Sequence, residues 1–202
     1  MPEKRKAHWE KIYTLKSPEE VSWTQKSQEI SLSLLTKLEL PKTANIIDVG
    51  GGDSSFAAAL LDLGYHNITV VDISEKALEK AKLRLGDLSK KVTYIVADIT
   101  DFQPTEDYDL WHDRAVFHFL TSALEQEKYL QQVAISAKNM IVGTFSKTGP
   151  LKCSGLTIQQ YSKQSMAVFF STYFKQVVSK AHIHTTPFGT SQDFIFGVFK
   201  RV

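Results

Sequence analysis

Apolar side chains in the first forty residues recur every three or four positions, which is typical of amphipathic helices. They form two stripes, Ala7, Trp9, Ile12 and Tyr13, and then Ile30, Leu34, Leu35 and Leu38. Residues 16–23 lack this spacing and are predicted to form a loop, with a second helix starting near Thr24. Since Pro41 cannot continue a helix, we expect residues 3–40 to be a mainly helical segment.

From residue 44 onward the pattern changes to apolar runs that alternate with helical segments. Strands are predicted over residues 44–49, 67–71, 92–97, 108–112 and 139–145, and helices over 56–63, 75–85, 123–137 and 157–170. This alternation is typical of βαβ units and predicts an α/β fold with a doubly wound parallel sheet. Two final β-rich runs, 173–182 and 193–200, predict a terminal hairpin, so that one strand must be antiparallel.

Length and composition are those of an ordinary globular protein. The chain has 202 residues, which suits one domain, with a helical cap over 1–40 and a core over 41–202. Apolar residues make up 43% and charged residues 23%, and the net charge is only +2. So balanced a charge does not by itself indicate a nucleic-acid partner.

Cysteine and hydropathy exclude several classes of protein. Cys153 is the only cysteine, which rules out an internal disulfide and a cysteine-rich metal site. A single cysteine is more often inert packing than a reactive group. His182 and His184 would share one face of a strand, but with so few ligands nearby we expect no metal. No secretory signal is recognisable, and no apolar run approaches the roughly 18 residues that span a bilayer, so we expect a cytoplasmic protein without a membrane partner.

A glycine-rich loop follows the first predicted strand and leads into a helix. Residues 48–55 read Asp-Val-Gly-Gly-Gly-Asp-Ser-Ser. Glycines allow a tight turn and a close approach of the backbone to a ligand, and the helix start offers free N–H groups. By itself the loop is a weak signal, because a strand-to-helix turn that binds nothing is the alternative.

Two further acids favour a nucleoside site. Asp72 lies 24 positions after Asp48, at the end of the next strand, where an acid can accept hydrogen bonds from ribose hydroxyls. Asp98 follows at the end of the third strand, placed to reach an adenine amino group. Each acid could instead cap a helix. Three acids at the carboxyl ends of three successive strands are harder to explain in that way.

The residues around the loop favour S-adenosylmethionine (SAM) over a dinucleotide. Asp53 and Ser54 occupy the helix start, and Ser55 replaces the last glycine of the dinucleotide fingerprint. An acid at this point would repel a pyrophosphate. SAM has no phosphate, and its ammonium group tolerates an acid such as Asp48. The Tyr-x-x-x-Lys pair of small nicotinamide reductases is also absent after the loop.

From about residue 40 to its end the chain resembles the class I SAM-dependent methyltransferases. Asp48-x-Gly50-x-Gly52 is similar to their first motif, with Ser54 in place of a third glycine, and Asp72 and Asp98-Ile99 match the ribose and adenine positions. The resemblance implies a Rossmann-like sheet of seven strands whose last strand is antiparallel. The predicted cofactor-binding residues are Trp23, Asp48, Gly50, Gly51, Gly52, Ser54, Asp72, Ile73, Asp98, Ile99 and His112.

Trp23 is included because the N-terminal helices of this fold often cover the cofactor. It lies in the predicted loop, where it could act as a lid residue. Together with Trp9 and Tyr13 it could equally belong to an aromatic core.

Residues 108–120, Tyr-Asp-Leu-Trp-His-Asp-Arg-Ala-Val-Phe-His-Phe-Leu, resemble a bacterial group of methyltransferase-domain proteins, as do residues 153–156 and 184–194. The Trp111-x-Asp113-Arg114 element is also similar to thiopurine methyltransferases, in which this arginine lies beside the small-molecule pocket.

The polar residues expected nearest the transferred methyl are His112, Asp113, Arg114 and His118, which are the candidate catalytic residues. A histidine would orient or deprotonate the acceptor, and Arg114 would bind an anionic group on it. Alternatively, Asp113 and Arg114 form a structural ion pair and the histidines are satisfied by backbone groups. His184 could approach the same pocket from the hairpin.

The sequence indicates the acceptor only by exclusion. The Asn/Asp-Pro-Pro-Tyr/Phe motif of amino methyltransferases acting on DNA and the Pro-Cys nucleophile of cytosine-C5 enzymes are both missing, and no basic stripe with interleaved aromatics occurs. We therefore expect a methyltransferase that acts on a small molecule, as a monomer or homodimer, and does not act on nucleic acid. Protein lysine methylation, SAM binding without catalysis and, less favoured, a nicotinamide oxidoreductase stay as alternatives.

Overall fold

The computed structural model of the protein describes residues 2–25 and 27–202. Its helices are α1 (Pro2–Leu15), α2 (Glu29–Leu35), α3 (Phe56–Asp62), α4 (Glu75–Leu85), α5 (Ala123–Ser136) and α6 (Lys163–Phe170). Its strands are β1 (Asn45–Val49), β2 (Asn67–Asp72), β3 (Val92–Val96), β4 (Leu110–Arg114), β5 (Asn139–Phe145), β6 (Lys152–Cys153), β7 (Leu156–Thr157), β8 (Phe174–Thr185) and β9 (Ser191–Arg201).

Seven strands form one sheet in the order β3-β2-β1-β4-β5-β9-β8, while β6 and β7 make a separate short hairpin. Strands β1 to β5 pair in parallel, and β9 pairs antiparallel with both β5 and β8. The predicted doubly wound sheet with an antiparallel last strand is confirmed. In the described part of the chain, no helix is both long and apolar enough to cross a membrane.

Both faces of the sheet are buried, because helices pack on each side of it. Alternation along β4 therefore decides which side chains share a face. Leu110 belongs to the core cluster on one face, and Trp111 belongs to the cluster on the other. Arg114 continues the Leu110 face and Asp113 the Trp111 face.

Strand β4 extends further than predicted. Residues 108–112 were expected, whereas β4 covers Leu110–Arg114 and its Asp113 is paired with Val49 of β1. An acid can continue this buried strand because its carboxylate accepts hydrogen bonds from the Tyr129 hydroxyl and from the N–H groups of Val116 and Phe117.

Two predicted helices begin later than expected. Helix α6 starts at Lys163 rather than at residue 157, because Ser162 accepts a hydrogen bond from the Ser165 N–H and caps the helix. Thr157 belongs to the β6–β7 hairpin instead. Helix α2 starts at Glu29 rather than near Thr24. Residue 26 of the predicted helical stretch lies outside the described residues.

Candidate cofactor and acceptor site

A cavity of about 290 Å³ lies at the carboxyl ends of the central strands, beneath α1. Most of the predicted site residues line it, namely Trp23, Asp48, Gly50, Gly51, Ser54, Asp72, Ile73, Asp98, Ile99, His112 and Arg114. Gly52, Asp113 and His118 do not line the cavity. This edge of the sheet is where ligands bind in doubly wound folds.

The glycine loop passes directly over two of the predicted acids. A Cβ atom on Gly51 would lie 2.1 Å from Asp48 Oδ2, and one on Gly52 would lie 2.7 Å from Asp72 Oδ2. Gly50 adopts a positive φ of 68°, which favours glycine. The loop therefore needs glycine because its backbone packs on carboxylates.

Asp72 is held by backbone groups at both oxygens. The Gly52 N–H donates to Oδ2 at 3.1 Å, and the Ser74 N–H donates to Oδ1 at 2.8 Å. Each carboxylate oxygen keeps further lone pairs, which two ribose hydroxyls could use. Burial raises the pKa of Asp72 to about 6, so the group is largely ionised at neutral pH.

Asp48 offers one free acceptor atom. Its Oδ1 accepts a hydrogen bond of 2.6 Å from His112 Nδ1. Its Oδ2 is buried and has no hydrogen-bond partner among the described residues. A buried carboxylate oxygen without a partner fits the ammonium group of SAM.

Asp98 is tied to the N-terminal helix. Its Oδ1 accepts hydrogen bonds from the N–H and the hydroxyl of Thr100, at 2.9 and 2.8 Å. Arg5 of α1 donates to both carboxylate oxygens, at 3.1 and 3.2 Å, and also pairs with Glu125. Asp98, which is predicted to bind the adenine amino group, therefore contacts α1, the helix that covers the cavity.

His112 uses both ring nitrogens within the protein. Because a carboxylate only accepts, Nδ1 is the donor to Asp48, and Nε2 shares a hydrogen bond of 2.8 Å with the Ser31 hydroxyl. The ring also stacks on Phe56, with 4.0 Å between centroids. Both ring nitrogens therefore have partners within the protein, and the bond from Nδ1 holds the Asp48 carboxylate.

Asp113 lies on the opposite face of the sheet from the cavity. Its side chain is fully buried, and burial raises its pKa to about 6. The alternative prediction of an Asp113–Arg114 ion pair is wrong, because consecutive residues of β4 point to opposite faces. The hydrogen bonds of Asp113 instead hold the turn after β4, and this geometry gives it no contact with a reacting group.

His118 is also buried away from the cavity. The Phe145 N–H donates to its Nδ1 at 3.3 Å, whereas Nε2 is buried with no hydrogen-bond partner among the described residues, so the backbone satisfies only one ring nitrogen. Burial lowers the pKa of His118 to about 3, so the ring is neutral. His184 likewise turns to the backbone and donates from Nε2 to the Ser22 carbonyl at 2.7 Å. Neither histidine reaches the cavity.

Arg114 lines the cavity and is only partly satisfied. Its Nη1 donates to the Trp23 carbonyl at 3.1 Å, whereas Nε and Nη2 are buried with no partner in the described structure. The guanidinium lies over Phe194 of β9, 5.2 Å from the ring centroid. Burial lowers its pKa to about 10, which leaves the group charged at neutral pH.

Comparison with known proteins agrees with this geometry. Residues 46–139 match the model of a family described as "Methyltransferase domain". The chain is 27% identical over 127 residues to the eEF1A lysine and N-terminal methyltransferase of Bos taurus, and 28% identical over 123 residues to malonyl-[acyl-carrier protein] O-methyltransferase 1 of Ilyobacter polytropus.

The structure of a Burkholderia thailandensis 1,6-didemethyltoxoflavin-N1-methyltransferase with bound 1,6-didemethyltoxoflavin and S-adenosylhomocysteine superimposes with a TM-score of 0.70. It is 15% identical, and the match covers 100% of this chain and 91% of that one. The chain therefore matches a methyltransferase domain over residues 46–139 and has the fold of the SAM-dependent methyltransferases.

The matches to the two curated relatives cover 62% and 58% of this chain, but only 18% and 46% of the relatives' own lengths. One relative is named for the lysine and N-terminal methylation of eEF1A and the other for malonyl-[acyl-carrier protein], so their names do not define a common acceptor.

Helix α1 completes the methyltransferase domain in a way that the sequence did not predict. Besides Arg5, its Glu10 accepts hydrogen bonds from the Ser74 hydroxyl at 3.1 Å and the Glu75 N–H at 2.7 Å, and so caps α4. Trp9 packs against Phe119 and Trp23, with centroids 5.2 and 5.7 Å apart. The contact between Trp9 and Trp23 fits the aromatic core considered above, whereas the contacts of Glu10 and of Trp9 with Phe119 join residues far apart in the chain and no local motif signals them.

Proposed function

We propose that the domain transfers a methyl group from SAM to a small-molecule acceptor. The observation that carries the proposal is one continuous cavity. It is lined both by the three strand-end acids Asp48, Asp72 and Asp98 and by Phe119, Leu120, Cys153 and Arg114. Helix α1 and Trp23 cover this space, which suits an acceptor that enters as a whole molecule.

Three acids and the glycine loop would hold the cofactor. Asp72 would accept hydrogen bonds from the ribose, Asp98 would accept one from the adenine amino group, and Asp48 Oδ2 would face the ammonium. When bound, SAM supplies a methyl group already activated on a sulfonium. The chain's own task is to align the acceptor with that methyl and to exclude water, and such positioning can be worth roughly 7–11 kcal/mol.

The same geometry argues for an acceptor that needs no histidine base. Both nitrogens of His112 are engaged, and His118 is buried outside the cavity. Cys153 lines the cavity, but burial raises the pKa of its thiol to about 11, so it is a poor proton acceptor at neutral pH. We therefore propose an acceptor atom that is nucleophilic without help, such as a thiolate or an acidic N–H group.

Protein lysine methylation is supported by the Bos taurus relative, whose name includes that activity. We favour the small-molecule acceptor because the cavity is covered and contains an arginine without a counterion, which repels a lysine ammonium. A SAM-binding protein without catalysis is the remaining alternative.

Turnover measurements separate these functions. The wild type is incubated with SAM and either a dialysed protein lysate or a protein-free metabolite extract, and S-adenosylhomocysteine release is measured. We expect release with the metabolite extract alone, and loss of release in Asp72→Ala. Release only with the protein lysate would contradict the small-molecule acceptor. Cofactor binding without release in either mixture would favour the non-catalytic protein.

A further inference from the structure

We infer that the acceptor carries an anionic group, of the size of a carboxylate, which binds the Nε–Nη2 edge of Arg114. The inference rests on the proposed methyltransferase function and names the class of its acceptor as a small aromatic acid. It concerns the part of the cavity away from Asp72 and Asp98.

Arg114 differs from the other arginines that line the cavity. Within the described residues, Arg5 pairs with Asp98 and Glu125, and Arg84 pairs with Asp53. Arg114 has no carboxylate partner there, and two of its nitrogens lack any hydrogen-bond acceptor. An unpaired buried guanidinium is strongly destabilising, and proteins rarely keep one without a reason. An anionic ligand would supply that reason.

The position of the guanidinium separates it from the nucleoside part of the proposed cofactor site. Asp72 and Asp98 follow β2 and β3, on one side of β1 in the sheet. Arg114 lies on β4, on the other side of β1, and its guanidinium lies over the Phe194 ring on β9. Asp48, at the proposed methionyl end, is among its charged neighbours, so the test below separates an acceptor anion from the carboxylate of the cofactor.

The free edge has the geometry of a carboxylate site. Nε and Nη2 present two parallel N–H donors, which match the two oxygens of a carboxylate. Both atoms are covered by neighbouring groups, and a single hydrogen bond to the Trp23 carbonyl fixes the guanidinium. Because both atoms are covered, a carboxylate binds this edge only if the guanidinium rotates, and the bond to the Trp23 carbonyl is the one hydrogen bond of this side chain among the described residues.

The surroundings of Arg114 favour an aromatic acid over an aliphatic one. Trp23 and Phe119 line the cavity, Trp9 packs between them, and Phe194 lies under the guanidinium. Flat rings pack well against such side chains in edge or offset contacts. A planar acid would place its ring among these residues while its carboxylate pairs with Arg114.

Binding of sodium benzoate tests the inference without knowledge of the true acceptor. Benzoate has the aromatic ring and the carboxylate, and benzamide is its uncharged match. Titrations use the protein saturated with S-adenosylhomocysteine, and compare the wild type with Arg114→Gln, Arg114→Lys and the exposed control Lys37→Gln. We expect the wild type and Lys37→Gln to bind benzoate at least about tenfold more tightly than benzamide.

Arg114→Gln should abolish the preference for benzoate. Arg114→Lys should retain only part of it, since lysine keeps the charge but lacks the two parallel N–H donors. S-adenosylhomocysteine affinity should stay within about twofold of wild type in both variants. A tenfold loss of that affinity would instead place Arg114 on the methionyl carboxylate of the cofactor and overturn the inference, as would equal binding of benzoate and benzamide. If Arg114→Gln fails to fold, Arg114→Lys decides by the same two readouts.

These results are separate from the proposed function. A wild type that turns over SAM without preferring benzoate would refute the aromatic-acid acceptor alone. A wild type that binds no S-adenosylhomocysteine would refute the methyltransferase proposal itself.

Discussion

Replacing Gly52 by alanine should weaken cofactor binding as well as the fold. The added Cβ would lie 2.4 Å from Ala77 Cβ and 2.7 Å from Asp72 Oδ2. Carbon atoms in ordinary contact are about 3.5–4.0 Å apart, so the loop, α4 or Asp72 must move by about 1 Å or more. Overpacking of this kind costs typically ~1–3 kcal/mol of stability.

The same shift breaks the alignment of Asp72 with the ribose. The Gly52 N–H donates directly to the Asp72 carboxylate, so the loop and the acid cannot move independently. A hydrogen bond to a charged group contributes roughly 1.5–3 kcal/mol. Loss of one such bond to the cofactor corresponds to an affinity decrease of about 10- to 150-fold.

Titration calorimetry with S-adenosylhomocysteine and thermal denaturation measure the two effects. Gly64→Ala is a matched control, because Gly64 has a φ of 86° with no atom within 4 Å of the added Cβ. It should lose stability through backbone strain and keep its affinity. If folded Gly52→Ala binds as tightly as Gly64→Ala, the loop and Asp72 do not hold the cofactor as described.

Three further predictions test the lid and the buried acid. Trp23→Ala should weaken S-adenosylhomocysteine binding about two- to tenfold, since an aromatic contact contributes ~0.5–1.5 kcal/mol, and unchanged affinity would make Trp23 a packing residue only. Arg5→Ala should speed the dissociation of S-adenosylhomocysteine and weaken its affinity by no more than about fivefold, because the partly exposed ion pair of Arg5 with Asp98 contributes up to ~1 kcal/mol. Tighter binding in stopped-flow titrations would show that Arg5 competes with adenine for Asp98. The pKa of Asp72 is raised from 3.8 to about 6 in the folded protein, so protonation of Asp72 stabilises the fold. In urea unfolding between pH 7 and 4, the free energy of unfolding of the wild type should therefore rise by up to ~3 kcal/mol relative to that of Asp72→Asn as the pH falls. A difference that stays constant with pH would contradict the raised pKa.

The alternation of apolar runs and helical segments predicted the sheet well, because both signals are local. Helix α4 and strand β5 have the predicted bounds, 75–85 and 139–145. The end of β4 was predicted too early, because Asp113 and Arg114 are charged residues that continue a buried strand. The partners that allow Asp113 to stay in the strand, above all Tyr129, come from a later helix.

The cofactor half of the site was predictable because parallel strands end at one edge of the sheet. Spacing alone therefore brought Asp48, Asp72 and Asp98 to one cavity. The covering helix was predicted, but the contacts of Arg5 and Glu10 were not, because each joins residues more than sixty positions apart.

The residues that would bind the acceptor were harder to predict, because a sequence gives residue types but not the direction in which each side chain points. Four polar residues between 112 and 118 were candidates for catalysis, but Asp113 and His118 lie outside the cavity. His112 is engaged with Asp48 and Ser31, which no local pattern could show. Of these four residues, Arg114 is the one that lines the cavity and has N–H donors without a hydrogen-bond partner among the described residues.

The most direct test of the central claim is a calorimetric titration of the wild type with S-adenosylhomocysteine, beside NADH and NADPH. We predict saturable binding of S-adenosylhomocysteine with a stoichiometry of about one, as for any single-site ligand, and no heat of binding from either nicotinamide cofactor. Saturable binding of NADH or NADPH, with none of S-adenosylhomocysteine, would contradict the assignment of this glycine loop and its three acids.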